Sequence, residues 1–190
     1  AQLSKKQQNM AKLFSDFDLP LADLYPSIPL NYRQRAEFRV WHDGDDLYYI
    51  MFDSKTKQKF RVDDFPVASE IINKAMKALL IAIKDHRELR FKLFQVDFLS
   101  TLSGELLISM LYHKPLEENW QIEAEKLKVQ LSTIAPVDII GRAKKQKIIV
   151  DKDYVMESLQ VGNKTYIYQQ VENSFTQPNA GVNEQMLLWA

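Results

Sequence analysis

Cysteine is absent from the 190 residues of this sequence. Its absence excludes disulfide bonds, thiolate metal sites and any reaction that needs a cysteine nucleophile from this chain. Glycine is scarce as well, because its five copies stand singly and form neither a phosphate-binding loop nor a G-x-S-x-G turn. The three histidines lie far apart without the spacing of metal ligands, so we expect no metal site.

Long apolar runs are also missing. The longest, Ala78–Ile83, falls far short of the ~20 residues that cross a bilayer, so we expect no membrane segment. Residues Ala1–Lys6 lack the apolar stretch of a secretory signal, which favours a cytoplasmic location. The 25 basic and 25 acidic side chains balance, so a polyanionic partner would have to be bound by local clusters of charge.

Alternating apolar and polar residues predict strands grouped in hairpins. The alternation begins at Arg33 and, with a turn at Asp43–Gly44, predicts a three-stranded meander that ends at Phe60–Val62. Further strand pairs are expected over Leu93–His113, over Val137–Val150 and around Gly162–Asn163. These pairs indicate a sheet built mainly from neighbouring strands.

Helical spacing predicts two long helices, one after Pro66 and one over Trp120–Leu131, and a peripheral helix over Ser4–Phe14. Prolines predict an extended connector over Leu19–Leu30. The last residues, Asn179–Ala190, predict the first turns of a helix that stops on apolar residues, as expected for a piece of a longer chain. The whole pattern predicts an α+β fold, an antiparallel sheet built from hairpins with helices packed on one face.

Two basic clusters are candidates for binding phosphates independently of sequence. In the first, strand alternation places Arg33, Arg35 and Arg39 on the solvent side of the predicted meander. The second, at the turn after the strand at 137–140, contains Arg142, Lys144, Lys145 and Lys147. A solvated sheet surface explains either cluster as well, so the pattern leaves both interpretations open.

Aromatic side chains could act as stacking platforms for unpaired bases. The candidates in the predicted second hairpin are Phe91, Phe94, Phe98 and Tyr112. A place in the hydrophobic core is the alternative for each of them. Among the histidines, only His113 is expected at a ligand surface, and an ordinary surface position fits it too.

Several segments closely resemble the bacterial tRNA (uracil-5-)-methyltransferase family. They occur in collinear order from about Tyr32 to the last residue, and the most specific is QVENSFTQPNA at Gln170–Ala180. The other matching segments are Tyr32–Tyr48, Lys92–Gln95, Leu111–Lys114 and Ile140–Ala143.

The resemblance implies an RNA-binding domain at residues 1–169. Residues 170–190 would then be the junction and first helix of a Rossmann-like domain that binds S-adenosylmethionine. Family members methylate carbon 5 of the T-loop uridine of tRNA after a cysteine thiolate adds to carbon 6. Because this chain has no cysteine, we expect it to be inactive alone.

The resemblance also implies roles for single residues. Gln177 corresponds to a cofactor contact, and Phe175 to the side of the target nucleotide. Arg39, Phe94 and His113 correspond to contacts with the tRNA T-arm, and a monomer is expected. Further candidates for RNA contacts are Arg33, Arg35, Arg142 and Lys144. Two alternatives stay open: a stand-alone, non-catalytic RNA-binding or RNA-remodelling module, and a protein-interaction domain with incidental basic patches.

Overall fold

The computed structural model describes residues 2–20 and 22–190. Ala1 and Leu21 lie outside this range, so the start of the chain is described from Gln2. The predicted connector is described without Leu21, and it contains no helix or strand in its remaining residues. The helices of the described residues are α1 (Gln2–Leu13), α2 (Glu70–Ile83), α3 (Arg87–Arg90), α4 (Glu118–Leu131) and α5 (Ala180–Trp189). The strands are β1 (Arg35–Asp43), β2 (Asp46–Phe52), β3 (Lys59–Val62), β4 (Leu93–Ser100), β5 (Leu106–Tyr112), β6 (Val137–Ala143), β7 (Gln146–Ile149), β8 (Tyr154–Val161) and β9 (Lys164–Val171).

Seven of these strands form one sheet in the order β3-β2-β1-β4-β5-β6-β7, and β8 pairs with β9 in a separate hairpin. The predicted α+β class and hairpins are confirmed. One strand pair departs from the expected antiparallel sheet, because β6 runs parallel to β5. The reason is α4, which connects the two strands as a crossover and returns the chain to the same end of the sheet.

Helices α2, α3 and α4 pack on one face of the seven-stranded sheet, as predicted for the two long helices, whereas α1 has no buried residues and α5 contacts β8 of the separate hairpin. On α2, Ile72, Met76 and Leu79 are fully buried and join Phe38 and Phe98 of the strands in one hydrophobic core. Burying each large apolar side chain stabilises the fold by about 1.5–3 kcal/mol. Helix α2 begins after Ser69, whose hydroxyl accepts a hydrogen bond from the Ile72 amide at 3.2 Å.

Helix α4 approaches the sheet closely through Trp120, which is completely buried. Its indole ring lies over Gly141 of β6, where an added Cβ atom would come within 2.5 Å of a ring carbon. Only glycine permits this approach. Of the aromatic stacking candidates, Phe98 and Tyr112 are core residues, the alternative stated for each, and Tyr112 packs edge-to-face against Trp120.

The β8–β9 hairpin covers part of the other face. Leu99, Leu107 and Ile140 alternate with core residues along their strands and meet Val155 of β8 in a second, smaller cluster.

Helix α5 confirms the predicted C-terminal helix. The boundary between residues 169 and 170 stays a prediction, and β9 continues across it to Val171.

Glu157 of β8 joins the hairpin to the β4–β5 turn. Its Oε1 atom accepts hydrogen bonds from the backbone amides of Leu102 and Ser158, both at 2.9 Å, and the residue is completely buried. Burial raises the pKa of Glu157, and these backbone hydrogen bonds only partly oppose the shift. The carboxylate therefore destabilises the fold when it is ionised.

We predict that Glu157→Gln stabilises the chain relative to the parent at neutral pH and that this gain disappears in acid. A carboxyl group whose folded pKa is raised contributes stability below its unfolded pKa, near 4.5, and loses it as pH rises through the folded value. The difference in unfolding free energy between variant and parent, measured by urea titration, should therefore grow from about pH 4.5 upward. The exposed Glu125→Gln provides the control, for which we expect no such trend. A difference for Glu157→Gln that grows as pH falls would contradict this account.

Candidate nucleic-acid interface

Three of the residues implied to contact RNA form one stack. The rings of Phe94 and His113 lie parallel, with centroids 3.8 Å apart and an interplanar angle of 12°. The guanidinium carbon of Arg39 lies 5.2 Å from the centroid of the Phe94 ring, within the range of a cation–π interaction. The fold thus brings together side chains from β1, from β4 and from the residue after β5.

An irregularity in β4 makes this stack possible. The register of β4 with β5 shifts between Leu93 and Gln95, so Phe94 departs from the strict alternation of the strand. Gln95 pairs with Arg39 of β1, which places the arginine beside Phe94. The amide of His113 donates to the Lys92 carbonyl oxygen at 2.9 Å and holds the end of β5 against the start of β4.

Cavities border the stack on the side of the β6–β7 turn. One of about 380 Å³ is lined by Phe94 and by the basic residues of the turn, and a neighbouring one of about 730 Å³ adds His113 and Lys114. Lys144 and Lys145 are exposed at this turn, and neither forms an ion pair with the residues that the structure describes. An aromatic stack beside unpaired cations can hold a base and the phosphates next to it.

The three arginines predicted on one solvent face differ in exposure. Arg33 precedes β1 and is half-buried, and its Nε atom donates to the Arg35 carbonyl oxygen at 2.7 Å. Arg35, also half-buried, donates from Nη1 to the Ser174 carbonyl oxygen at 2.8 Å. The C-terminal junction covers both, a contact that local alternation does not reveal. Only Arg39 is exposed as expected.

Arg142 is held in an ion pair. Its Nε atom donates to Oε1 of Glu172 at 2.7 Å, its Nη2 atom donates to Oε2, and Lys147 lies 3.4 Å from the same carboxylate. Burial raises the pKa of Glu172, but Arg142 and Lys147 outweigh it and hold the pKa below its ordinary value. Arg142 is thus engaged with the hairpin, whereas Lys144 is free to reach a ligand.

Two further cation–aromatic pairs lie on the open face of the meander. Lys59 Nζ is 3.2 Å from the ring centroid of Trp41, and the guanidinium carbon of Arg61 is 4.7 Å from that of Tyr48. The sequence reasoning missed Trp41, although it shares a strand face with Arg39, two residues earlier. The alternation of side chains along β1 could have identified Trp41 as a neighbour of Arg39.

The junction after β9 forms a second, separate candidate site. Phe175 is 82% exposed, and it lines a cavity of about 460 Å³ together with Gln177, whose side chain is also exposed. Gln170 and Thr176 line the same cavity. The buried Oε1 atom of Gln170 and Oγ1 atom of Thr176 have no hydrogen-bond partner among residues 2–20 and 22–190. Phe175 and Gln177 thus share a cavity that the Phe94 stack does not border.

Two other kinds of feature are missing from the described residues. Among residues 2–20 and 22–190, none of the helices is both long and apolar enough to span a lipid bilayer. The same residues contain no group of three histidine or acidic side chains arranged to hold a metal ion.

Comparison with known proteins identifies the family. The sequence model of the tRNA (uracil-5-)-methyltransferase family matches residues 1–190. The chain is 91% identical to a tRNA/tmRNA (uracil-C(5))-methyltransferase of Colwellia psychrerythraea over 190 residues, 100% of this chain and 52% of that protein. It is 57% identical to the Shewanella amazonensis protein of the same name over 189 residues, again 100% of this chain and 52% of the relative.

The relative of that name from Psychromonas ingrahamii is 55% identical over 188 residues, which are 99% of this chain and 52% of that protein. The chain therefore spans about half the length of the curated relatives that it matches. These matches confirm the resemblance that the segments at Tyr32–Tyr48 and Gln170–Ala180 indicated. The chain belongs to the tRNA (uracil-5-)-methyltransferase family.

Proposed function

We propose that this chain is the RNA-binding part of an enzyme that methylates carbon 5 of the T-loop uridine of tRNA, with S-adenosylmethionine as methyl donor. The observation that carries the proposal is the stack of Arg39, Phe94 and His113 beside the free lysines at 144 and 145. Membership of the family supports a tRNA substrate.

In this proposal the members of the stack have different tasks. Because the His113 ring covers one face of Phe94 at 3.8 Å, an unpaired base stacks on the exposed His113 ring, while Phe94 positions that ring from behind. Arg39 and Lys144 neutralise neighbouring phosphates. Arg33, Arg35 and Arg142 act differently, because their hydrogen bonds hold the junction and hairpin against the sheet.

The junction cavity is the proposed place of the cofactor and target nucleotide. The exposed amide of Gln177 offers both a donor and an acceptor, which suits one contact with S-adenosylmethionine, and the exposed Phe175 ring faces the nucleotide. The unpartnered buried atoms of Gln170 and Thr176 at this cavity are consistent with a polar ligand. S-adenosylmethionine supplies the methyl group when it is bound, and this chain contributes only binding and orientation.

We predict that Arg39→Ala weakens binding to a T-arm stem-loop and flattens its salt dependence. Each phosphate neutralised contributes about −0.7 to −0.9 to the slope of log affinity against log salt, so the slope should change by about that amount. Fluorescence anisotropy at several salt concentrations measures both quantities. Lys126→Ala, on the helical side of the sheet, is the matched control and should leave the slope unchanged. An unchanged slope for Arg39→Ala would remove this arginine from the interface.

We predict that His113→Ala and Phe94→Ala each weaken RNA binding by about 1–3 kcal/mol, the value of one base–aromatic stack, without changing the salt slope. His113→Phe keeps a ring at the end of the stack and should retain most of the affinity. Denaturant unfolding of the same variants separates stacking from stability, because truncation of a core phenylalanine costs about 3–5 kcal/mol. Loss of binding in proportion to loss of folded protein would make Phe94 a core residue instead.

We predict that the chain alone transfers no methyl group. The family reaction needs a thiolate on carbon 6 of uracil, and this chain contains no cysteine. Incubation with unmodified tRNA and radiolabelled S-adenosylmethionine should leave the RNA unlabelled while the same preparation binds the T-arm. Protein-dependent incorporation of label into uracil would contradict the inference that this chain binds RNA without methylating it. RNA binding as tight as that of a full-length relative would favour the stand-alone binding module.

A further inference from the structure

Phe91 is an exposed aromatic residue surrounded by positive charge. It follows α3, and its side chain is 47% exposed. Arg87, Lys92 and Lys114 all place a cationic group near its ring, at 5.9, 5.6 and 5.9 Å from the centroid. These distances are at the outer limit of cation–π contact, so the cations surround the ring without covering it closely.

The local backbone holds Phe91 outside the core. The Phe91 amide donates to the Arg87 carbonyl oxygen at 2.9 Å and closes the short helix. Lys92 then adopts a left-handed conformation with φ of 58°, which is uncommon for a residue with a side chain. After this turn Leu93 enters the core and is only 1% exposed. The chain thus changes direction between an exposed aromatic residue and a buried strand.

The charges near Phe91 are only partly neutralised. Lys114 pairs with Glu88 at 3.2 Å, whereas Arg87 and Lys92 form no ion pair with any of the described residues. Phe91 also lines a cavity of about 670 Å³ together with further charged residues. The cations there are Lys84, Arg87, Arg90 and Lys92, and the acids are Asp45 and Asp85. Arg90 is engaged with backbone carbonyl oxygens and Lys84 lies 3.8 Å from a carboxylate oxygen of Asp46, so Arg87 and Lys92 are the cations available to a ligand.

We propose that Phe91, Arg87 and Lys92 form a second nucleotide-binding site, in which an unpaired base of the RNA stacks on the Phe91 ring and the two cations bind its flanking phosphates. The inference rests on the proposed function and extends its RNA footprint beyond the His113 stack. The two sites adjoin: Phe94 follows Phe91 by three positions, which is at most about 11 Å of chain. One RNA strand can therefore reach both.

The chemistry of the site favours RNA over an acidic protein segment. Carboxylates would use the cations and leave the ring uncovered, whereas a nucleotide uses both the ring and the charges. The difference is measurable, because stacking depends on the aromatic side chain and the charge interaction does not. Substitutions that keep or remove the Phe91 ring without changing the charge therefore distinguish base stacking from a purely charge-based interaction.

The experiment compares Phe91→Ala, Phe91→Tyr and Phe60→Ala in anisotropy titrations of the whole chain with full-length tRNA and with a T-arm stem-loop. Phe60 is the matched control, since it is 49% exposed and lies on the edge strand β3. We expect Phe91→Ala to lower affinity for at least one of these RNAs by about fivefold to 100-fold, with Phe91→Tyr near the parent and Phe60→Ala unchanged. Arg87→Gln should flatten the salt slope by about 0.7.

The outcomes distinguish this proposal from the proposed function. Normal binding by Phe91→Ala with weakened binding by His113→Ala would overturn the second site and leave the first intact. Unchanged affinity for Phe91→Ala with weakened binding by Arg87→Gln, and competition by polyglutamate as strong as by RNA, would make the surface a docking site for acidic protein. No salt-dependent binding of either RNA by the parent chain would overturn both proposals.

Discussion

The buried carboxylate of Glu172 connects the two candidate sites. It lies at the end of the β8–β9 hairpin and accepts hydrogen bonds from Arg142 of the main sheet, with Lys147 close by. Removing one partner of such a buried pair typically costs about 3–5 kcal/mol, because the remaining charge is left uncompensated. The junction that carries Phe175 and Gln177 starts directly after Glu172, so this ion pair fixes where the junction leaves the sheet.

The position of the junction also separates the basic residues that form hydrogen bonds within the fold from those that stay exposed. From Glu172 the junction returns to β1, where Ser174 accepts a hydrogen bond from Arg35 and Pro178 accepts one from the Gln34 amide. Arg35 and Arg142, the arginines near the hairpin, are therefore engaged in hydrogen bonds within the fold. Arg39 and the lysines at 144 and 145 lie toward the other end of the sheet, and none of the three forms an ion pair with another described residue. A chain of zero net charge can in this way present a local polyanion-binding edge.

Local patterns predicted most of the elements but not their long-range partners. Alternation and turn residues were sufficient for the meander, the hairpins and the two long helices, because these depend on neighbours in sequence. The parallel pairing of β6 with β5 depends on how α4 crosses the sheet. The engagement of Arg35 by Ser174, 139 residues later, is equally invisible to strand alternation. Phe98 could have been assigned to the core from its alternation with Val96, whereas Phe94 leaves the alternation through the register shift.

We propose that looped RNA binds at the edge of the sheet that carries Phe94 and His113. Ultraviolet crosslinking of a T-arm stem-loop to the chain, followed by mass spectrometry of the peptides, tests this claim most directly, because it requires contact between base and side chain. We expect a crosslink at His113, whose exposed ring contacts the base, and none at residues of α2 and α4. Crosslinks confined to the helical face, with this edge unlabelled, would contradict it.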